Sequence, residues 1–344
     1  LGDGSDGDVT LYKHRHIDFC VAVKTQKDDS AHARLTILRE IESLRTIGRH
    51  PHVASMLTEC PDFQSWVTKG PAIFFQVADL GDVATYQWKW AVQQNERDMP
   101  QQLPEITLWK FFRDMALALD HIHNRLGTCY LHQDFKPQNI LARTPPGHLG
   151  DGLPTEPIFQ LTDFARLASY PPPRDQPASI EFAGTWMYAA PAAERVAPFL
   201  PSVDMYSLGA TIQALALNYQ PIESRKSFMR ALRAAGLPCP KSERNCDNQV
   251  WRRHRRVVYR PLSATREELT VLWDVEDHEH VRHHRPYSTL LDLWYEQLLL
   301  SDPKKRIASV DLAKYLVPMI DMQLPVARIE FQVNSAFYKA ESIR

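Results

Sequence analysis

"HQDFKPQN", residues 132–139, is the stretch on which the reading of this chain turns. Asp134 and Asn139 stand five residues apart, with Lys136 and Pro137 between them. Asp, Asn and Pro are turn formers, and a plain polar turn would account for them. The spacing also matches H-R-D-L-x-x-x-N, a loop in which the carboxylate takes a proton from a hydroxyl and the amide holds a metal ion. One loop cannot carry that chemistry, so the flanking sequence must supply its partners.

Downstream, "TDFA" places Asp163 behind a β-prone stretch, where a second metal-binding carboxylate belongs. "GTWMYAAP" (184–191) begins 21 residues further on, and "DMYSLG" and "DPKKR" follow in order. Upstream, "VAVK" ends a strand-like run at Lys24, and Glu40 lies sixteen residues later on the helical segment "LREIESL". A strand-borne lysine that reaches phosphate needs a carboxylate to hold it extended. Seventeen residues before Lys24 comes Gly7, the last glycine of "LGDGSDGDVTLY" (1–12), in which Gly2, Gly4 and Gly7 match G-x-G-x-x-G. Val9 extends this to G-x-G-x-x-G-x-V. Such a loop can wrap its amides around phosphate, yet Asp3, Asp6 and Asp8 would repel it. A calcium loop is the rival reading, but counting from Asp3 puts Gly7 fifth, Asp8 sixth and His14 twelfth, where carboxylates and a central glycine are required.

Taken together and in this order, the motifs resemble a eukaryotic-type protein kinase domain, serine/threonine kinase-like, over roughly residues 1–320. The resemblance implies an α+β, bilobal fold: a small antiparallel β-sheet lobe with one helix, then a larger, mainly helical lobe. It implies an N-lobe over 1–82, incomplete at its start, and a C-lobe over 83–322 with insertions near 143–157 and 219–285. A C-terminal tail fills 323–344. It further implies ATP and Mg²⁺ as cofactors and a protein substrate. Leu1, Val9, Ala22 and Leu141 would sandwich the adenine, under a loop carrying Gly2, Gly4 and Gly7. Phe75 would be the gatekeeper and Gln76, Val77 and Ala78 the hinge, unless the register slips by one residue. Lys24, paired with Glu40, would bind the α/β-phosphates, Asn139 and Asp163 the metal, and Asp134 the substrate proton. Lys136 would contact the γ-phosphate and Thr185 would brace Asp134 and Lys136, both as in serine/threonine kinases. Asp204 would buttress the catalytic loop.

Several departures bear on activity. Gln133 stands where the family has an arginine that gathers a phosphorylated activation loop, which predicts weaker dependence on loop phosphorylation. Ala165 replaces the glycine of D-F-G and restricts rotation there. Ala192 replaces the glutamate that pairs with a late arginine, here Arg306, and Glu194 serves instead if the loop shifts by two residues. These changes and the acidic glycine loop keep a second reading open, a pseudokinase acting as a nucleotide-binding or scaffold module. A small-molecule kinase sharing the H-x-D…N loop is a third, which "GTWMYAAP" and "DMYSLG" oppose.

The remaining sequence is organised around these landmarks. "DDS" offers an N-cap for a helix over about 31–47, with Ile37, Ile41 and Leu44 on one face. "AIFFQVA" (72–78) reads as a strand, and Leu108, Phe112, Met115, Leu119 and Ile122 mark a long amphipathic helix. "DMYSLGATIQALALN" (204–218) is apolar nearly all round, as a buried helix should be, and "STLLDLWYEQLLL" (288–300) restores a helical pattern.

The 344 residues suffice for two lobes, and a net charge of −1 argues against a global grip on nucleic acid. The five arginines of "WRRHRRVVYR" (251–260) therefore read as a solvated face or a docking patch for a partner. The histidines of "DHEHVRHH" (277–284) suggest zinc less than a polar loop, since no cysteine lies near. No apolar run approaches the roughly 20 residues of a membrane helix, which predicts no membrane association. Five cysteines without a C-x-x-C pair predict reduced thiols and an intracellular setting, cytoplasmic or nuclear. A chain that starts with Leu inside a glycine-rich run is expected to lack upstream residues.

Overall fold

The computed structural model describes residues 2–3, 7–64, 69–95, 101–150, 152–173, 182, 184–239, 241, 251, 256–272 and 284–341. Leu1, Gly4 and the acidic tip at Asp6 lie outside these residues, as do residues 252–255 of the basic 251–260 stretch and His278, His280 and His283.

The first lobe is an antiparallel sheet. β1 (Gly2–Asp3), β2 (Asp8–Lys13), β3 (Cys20–Thr25), β4 (Met56–Gln64) and β5 (Lys69–Gln76) lie in the order β1-β2-β3-β5-β4. Register places Val9 opposite Lys24, Lys24 opposite Ile73, and Ala22 opposite Phe75. Since side chains alternate along a strand, Val9, Ala22, Lys24 and Phe75 share one face of the sheet. Helix α1 (Ala31–Ile47) packs its buried Ile37, Ile41 and Leu44 against the lobe. The Ser30 side chain caps it by accepting from the Ala33 amide, and Gly48, at φ 70°, ends it. β4 was not legible in the sequence. Its pairing with β5 is interrupted twice by register shifts, one of them around Pro61, so it shows no clean alternation.

The second lobe begins with β6 (Gly81–Asp82), α2 (Val83–Asn95) and α3 (Glu105–Asn124). Leu108, Phe112, Met115, Leu119 and Ile122 of α3 are all fully buried. β7 (Cys129–Leu131), β8 (Ile140–Arg143), β9 (Ile158–Leu161) and β10 (Ala168–Tyr170) make two small sheets, β6-β8-β9 and β10-β7, around the loop of interest. α4 (Ser202–Leu217) is buried on nearly every side, as its uniform apolarity predicts. α5 (Arg225–Ala234), α6 (Arg266–Leu272) and α7 (Thr289–Glu296) follow. A turn at Ser309–Asp311 and a wider-wound segment Leu312–Leu316 lead into α8 (Val317–Glu341).

α8 runs unbroken through residue 323, where the sequence suggested a tail, and carries Pro325 within it. Pro325 and the weak period of its apolar residues hide the helix from sequence reading. It is anchored by buried Ile320 and Leu324, by Arg113–Asp321 at 2.6 Å and by Arg328–Glu156 at 2.7 Å. The Pro/Gly-rich stretch 143–157 is also tied down: Tyr86 donates to the Pro154 carbonyl at 2.7 Å and Thr107 to that of Thr155 at 2.6 Å. No described helix is long and apolar enough to cross a membrane.

Candidate active site

Two segments bring the lobes together behind the sheet. The Ala54 amide donates to the Leu161 carbonyl at 2.8 Å, and the Leu161 amide to that of His52 at 2.9 Å. This stitches the β4 approach to β9 and sets the position of Asp163, two residues beyond that strand. Lys24 Nζ then reaches across to form a 2.6 Å ion pair with Glu40 Oε2 and a 2.9 Å pair with Asp163 Oδ1. Burial alone would lower the lysine pKa, but the two carboxylates outweigh it and raise it well above the ordinary value. Asp163 adopts φ 66°, and its neighbour Phe164 is fully buried edge-on to the His132 ring at 5.2 Å.

The 132–139 loop is held from below. Asp204, at the start of buried α4, accepts from the His132 amide at 2.8 Å and from the Gln133 amide at 2.9 Å. His123 on α3, which the sequence did not point to, meets Asp204 at 3.0 Å. Burial would raise the Asp204 pKa, yet His123, His132 and these amide donors bring it below the usual carboxylate value. Gln133 accordingly sits at φ 65°, a strain that the two amide bonds fix in place.

On this support the loop presents its side chains in one cluster. Asp134 Oδ1 accepts from both the amide and the hydroxyl of Thr185 at 2.7 Å. Asp134 Oδ2 accepts from Lys136 at 2.8 Å and from Asn139 Nδ2 at 3.1 Å. Lys136 also reaches the Thr185 hydroxyl at 2.9 Å. Gly184 is required beside Thr185: a Cβ there would stand 2.1 Å from the Gln133 carbonyl oxygen. Gly7 is likewise pressed on the sheet, where a Cβ would lie 2.5 Å from the Thr25 carbonyl oxygen and 3.4 Å from Lys24 Cε.

The structure thus gathers Lys24, Glu40, Asp134, Lys136, Asn139, Asp163 and Thr185, and sets Val9, Ala22 and Phe75 on the face that bears Lys24. Gln76, Val77 and Ala78 carry the chain from β5 to the second lobe, and Leu141 is half-buried on β8. Of the glycine loop, only the backbone of Gly2 and the surroundings of Gly7 are described.

The donor set suits a hard divalent cation. Asn139 spends Nδ2 on Asp134, which leaves its amide oxygen as a ligand, and Asp163 keeps its second oxygen clear of hydrogen bonds from described residues. No group of three or more His, Cys, Asp or Glu side chains that could hold a metal ion occurs among the described residues.

Two further features complete the surroundings. Arg306, fully buried, makes a two-pronged pair with Glu194 at 2.8 Å for each contact and lies over the Tyr206 ring. Glu194, not Ala192, is therefore its partner. A cavity of about 460 Å³ between α1 and β10 is lined by Arg39, Gln133, Ser169 and Phe199, among others. The neutral Gln133 amide faces this space. Arg166, three residues past Asp163, stands with Nη1 3.3 Å from Asp134 Oδ2. The sequence reading passed over it, although its place next to "DFA" was a usable signal.

The fold and this cluster define a class. A family model described as protein kinase domain matches residues 1–316, and the chain belongs to that family. Among curated proteins it is 24% identical over 267 residues to the serine/threonine-protein kinase ATG1 of Gibberella zeae, covering 68% of this chain and 27% of that protein. It is 27% identical over 239 residues to the human serine/threonine-protein kinase ULK3, covering 68% of this chain and 43% of that one. The L-type lectin-domain containing receptor kinase V.5 of Arabidopsis thaliana is 25% identical over 225 residues, 65% of this chain and 30% of that protein. The chain thus spans less than half the length of each of these three relatives.

Proposed function

We propose that this chain is a serine/threonine protein kinase that moves the γ-phosphoryl group of ATP to a protein hydroxyl. The observation that carries the reading is the convergence of Lys24, held by Glu40, with Asp163, Asn139, Asp134 and Lys136. Phosphoryl transfer asks little covalent chemistry of the protein; it asks for fixed positive charge and an aligned nucleophile. Lys24 binds the α/β-phosphates, the shared face of Val9, Ala22 and Phe75 receives the adenine together with Leu141, and residues 76–78 pair with its edge. Asn139 and Asp163 would hold Mg²⁺, which would supply positive charge against the phosphoryl groups. Asp134 orients the substrate hydroxyl and accepts its proton, Lys136 steadies the γ-phosphate, and Thr185 braces both. The Lys136–Thr185 contact is what favours a serine or threonine acceptor. Reduced thiols at the described cysteines fit an intracellular setting.

The test is transfer of radiolabelled phosphate from ATP to a generic acceptor protein. Asp134→Asn should lower the rate by about 10²–10⁴-fold. Equal labelling by wild type and variant would instead favour the scaffold reading.

A further inference from the structure

Helix α8 is apolar on two sides, and the protein's own core covers one of them. Ile320, Leu324, Ala327 and Phe331 follow one another at intervals of four, three and four residues. The first two are buried and the other two pack against the core. Met322, Val326, Ile329 and Val333 repeat the same intervals two residues later. Two residues turn an α-helix by about 200°, so the second row lies opposite the first. All four of its members face solvent, with exposures of 68%, 49%, 61% and 62%. A helix on the surface of a globular protein normally turns charged and polar residues that way. A contiguous apolar row in their place marks a contact surface.

Intervals of four, three and four are those of the core positions in a coiled coil. They also read the same in both directions. Two copies of the row can therefore meet antiparallel about a two-fold axis that passes between Ala327 and Arg328. Met322 then falls opposite the second copy's Val333, and Val326 opposite the second copy's Ile329, so each contact sets a longer side chain against a valine. Along the edges Gln323 meets the second copy's Gln332, two amides that can both donate and accept. Asp321 and Arg328 are spent on Arg113 and Glu156 of their own chain, and Glu330 falls opposite the second copy's Pro325, so no like charges meet. A net charge of −1 adds little general repulsion between copies. A lipid surface would ask for lysine and arginine beside the row, where Gln323, Pro325, Glu330 and Gln332 stand instead.

We propose that α8 is a dimerisation helix, through which two copies of this chain pair antiparallel along Met322, Val326, Ile329 and Val333. The row points directly away from the core, so the two bodies lie on opposite sides of the paired helices. Four side chains from each copy bury on the order of 800 Å² in all, which is at the small end of specific interfaces and makes the dimer weak and reversible. This pairing is independent of the chemistry proposed for the cleft.

The experiment is sedimentation equilibrium of the full chain over about 1–300 µM, a span that brackets a weak interface. The mean mass should climb from near 39.6 kDa towards twice that value. Ile329→Glu sets a carboxylate against the second copy's Val326 and should weaken association by at least about tenfold. Val326→Lys combined with Ile329→Glu brings opposite charges together twice in the antiparallel register, but like charges together in a parallel one. The double variant should therefore associate at least about threefold more tightly than Ile329→Glu alone. Both positions are exposed, so the variants should keep the wild-type melting temperature at about 1 µM, which shows that they fold. A wild-type mass that stays at 39.6 kDa throughout overturns the proposal. So does self-association that Ile329→Glu leaves intact, or a double variant no tighter than the single one. Flotation of wild type with vesicles of phosphatidylcholine and phosphatidylserine, lost in Ile329→Glu, would assign the row to a lipid surface and overturn it as well.

Discussion

Burial on its own would raise the pKa of Asp134, but Lys136, the Thr185 hydroxyl and Arg166 hold it below the usual aspartate value. The group is therefore ionised at neutral pH, as a proton acceptor must be. The same loop carries a neutral Gln133 beside the cavity under α1, where an arginine would seat a phosphate. Treatment with a phosphatase should accordingly leave the wild-type rate within roughly twofold, because Gln133 itself offers a phosphate no charge-assisted pair. A collapse of activity would mean that another cation does the gathering. Most of these residues were legible in the sequence because motif spacing reports which side chains share a loop. Arg166 was not, since its 3.3 Å approach to Asp134 arises only when the two loops are brought together.

Between elements, buried ion pairs and histidines decide the outcome. Glu194→Ala would strand Arg306, whose side chain is wholly buried, and should cost about 3–5 kcal/mol. Denaturant titration reads this, and a loss under 1 kcal/mol would show the pair to be dispensable. The sequence left Ala192 and Glu194 open because a shift of two residues is invisible without the short helical turn at 192–194 that aims the glutamate.

At the joint between α1 and α3, His50 stacks on His121 with ring centroids 4.5 Å apart. Burial first, then the neighbouring histidines, pushes the His50 pKa down to about 4, and His52 is lowered as well. In unfolded chain these groups protonate near pH 6.5, so between pH 6.5 and 4 the unfolded state binds more protons and stability falls on acidification. The depressed carboxylates Asp134, Asp163 and Asp204 act lower, as pH drops below about 4, so the two windows separate. Melting temperature measured from pH 7 to 4.5 should decline, and His50→Gln should flatten the curve.

Across the molecule, the lobes meet through Lys24–Asp163 and the Ala54–Leu161 stitch. A nucleotide seated there touches both, so Mg·ATP at a hundred times its Kd should add about 2.7 kcal/mol of stability, and Lys24→Met should abolish the shift. An unchanged shift in that variant would put the nucleotide elsewhere. The bilobal plan was readable from the order of motifs, each of which marks one wall of the cleft. β4 and α8 were not, because tertiary contacts, more than local pattern, hold a twice-shifted strand and a proline-bearing helix in shape.

α8 lies wholly past residue 316, where the family match stops, yet it supplies Asp321 to Arg113, Arg328 to Glu156, and Ile320 and Leu324 to the interior. Anyone trimming an expression clone to the recognised domain would saw off a buttress and leave greasy masonry open to water. Protein cut after residue 316 should precipitate or refold poorly, whereas protein cut after 341 should stay monodisperse on a sizing column.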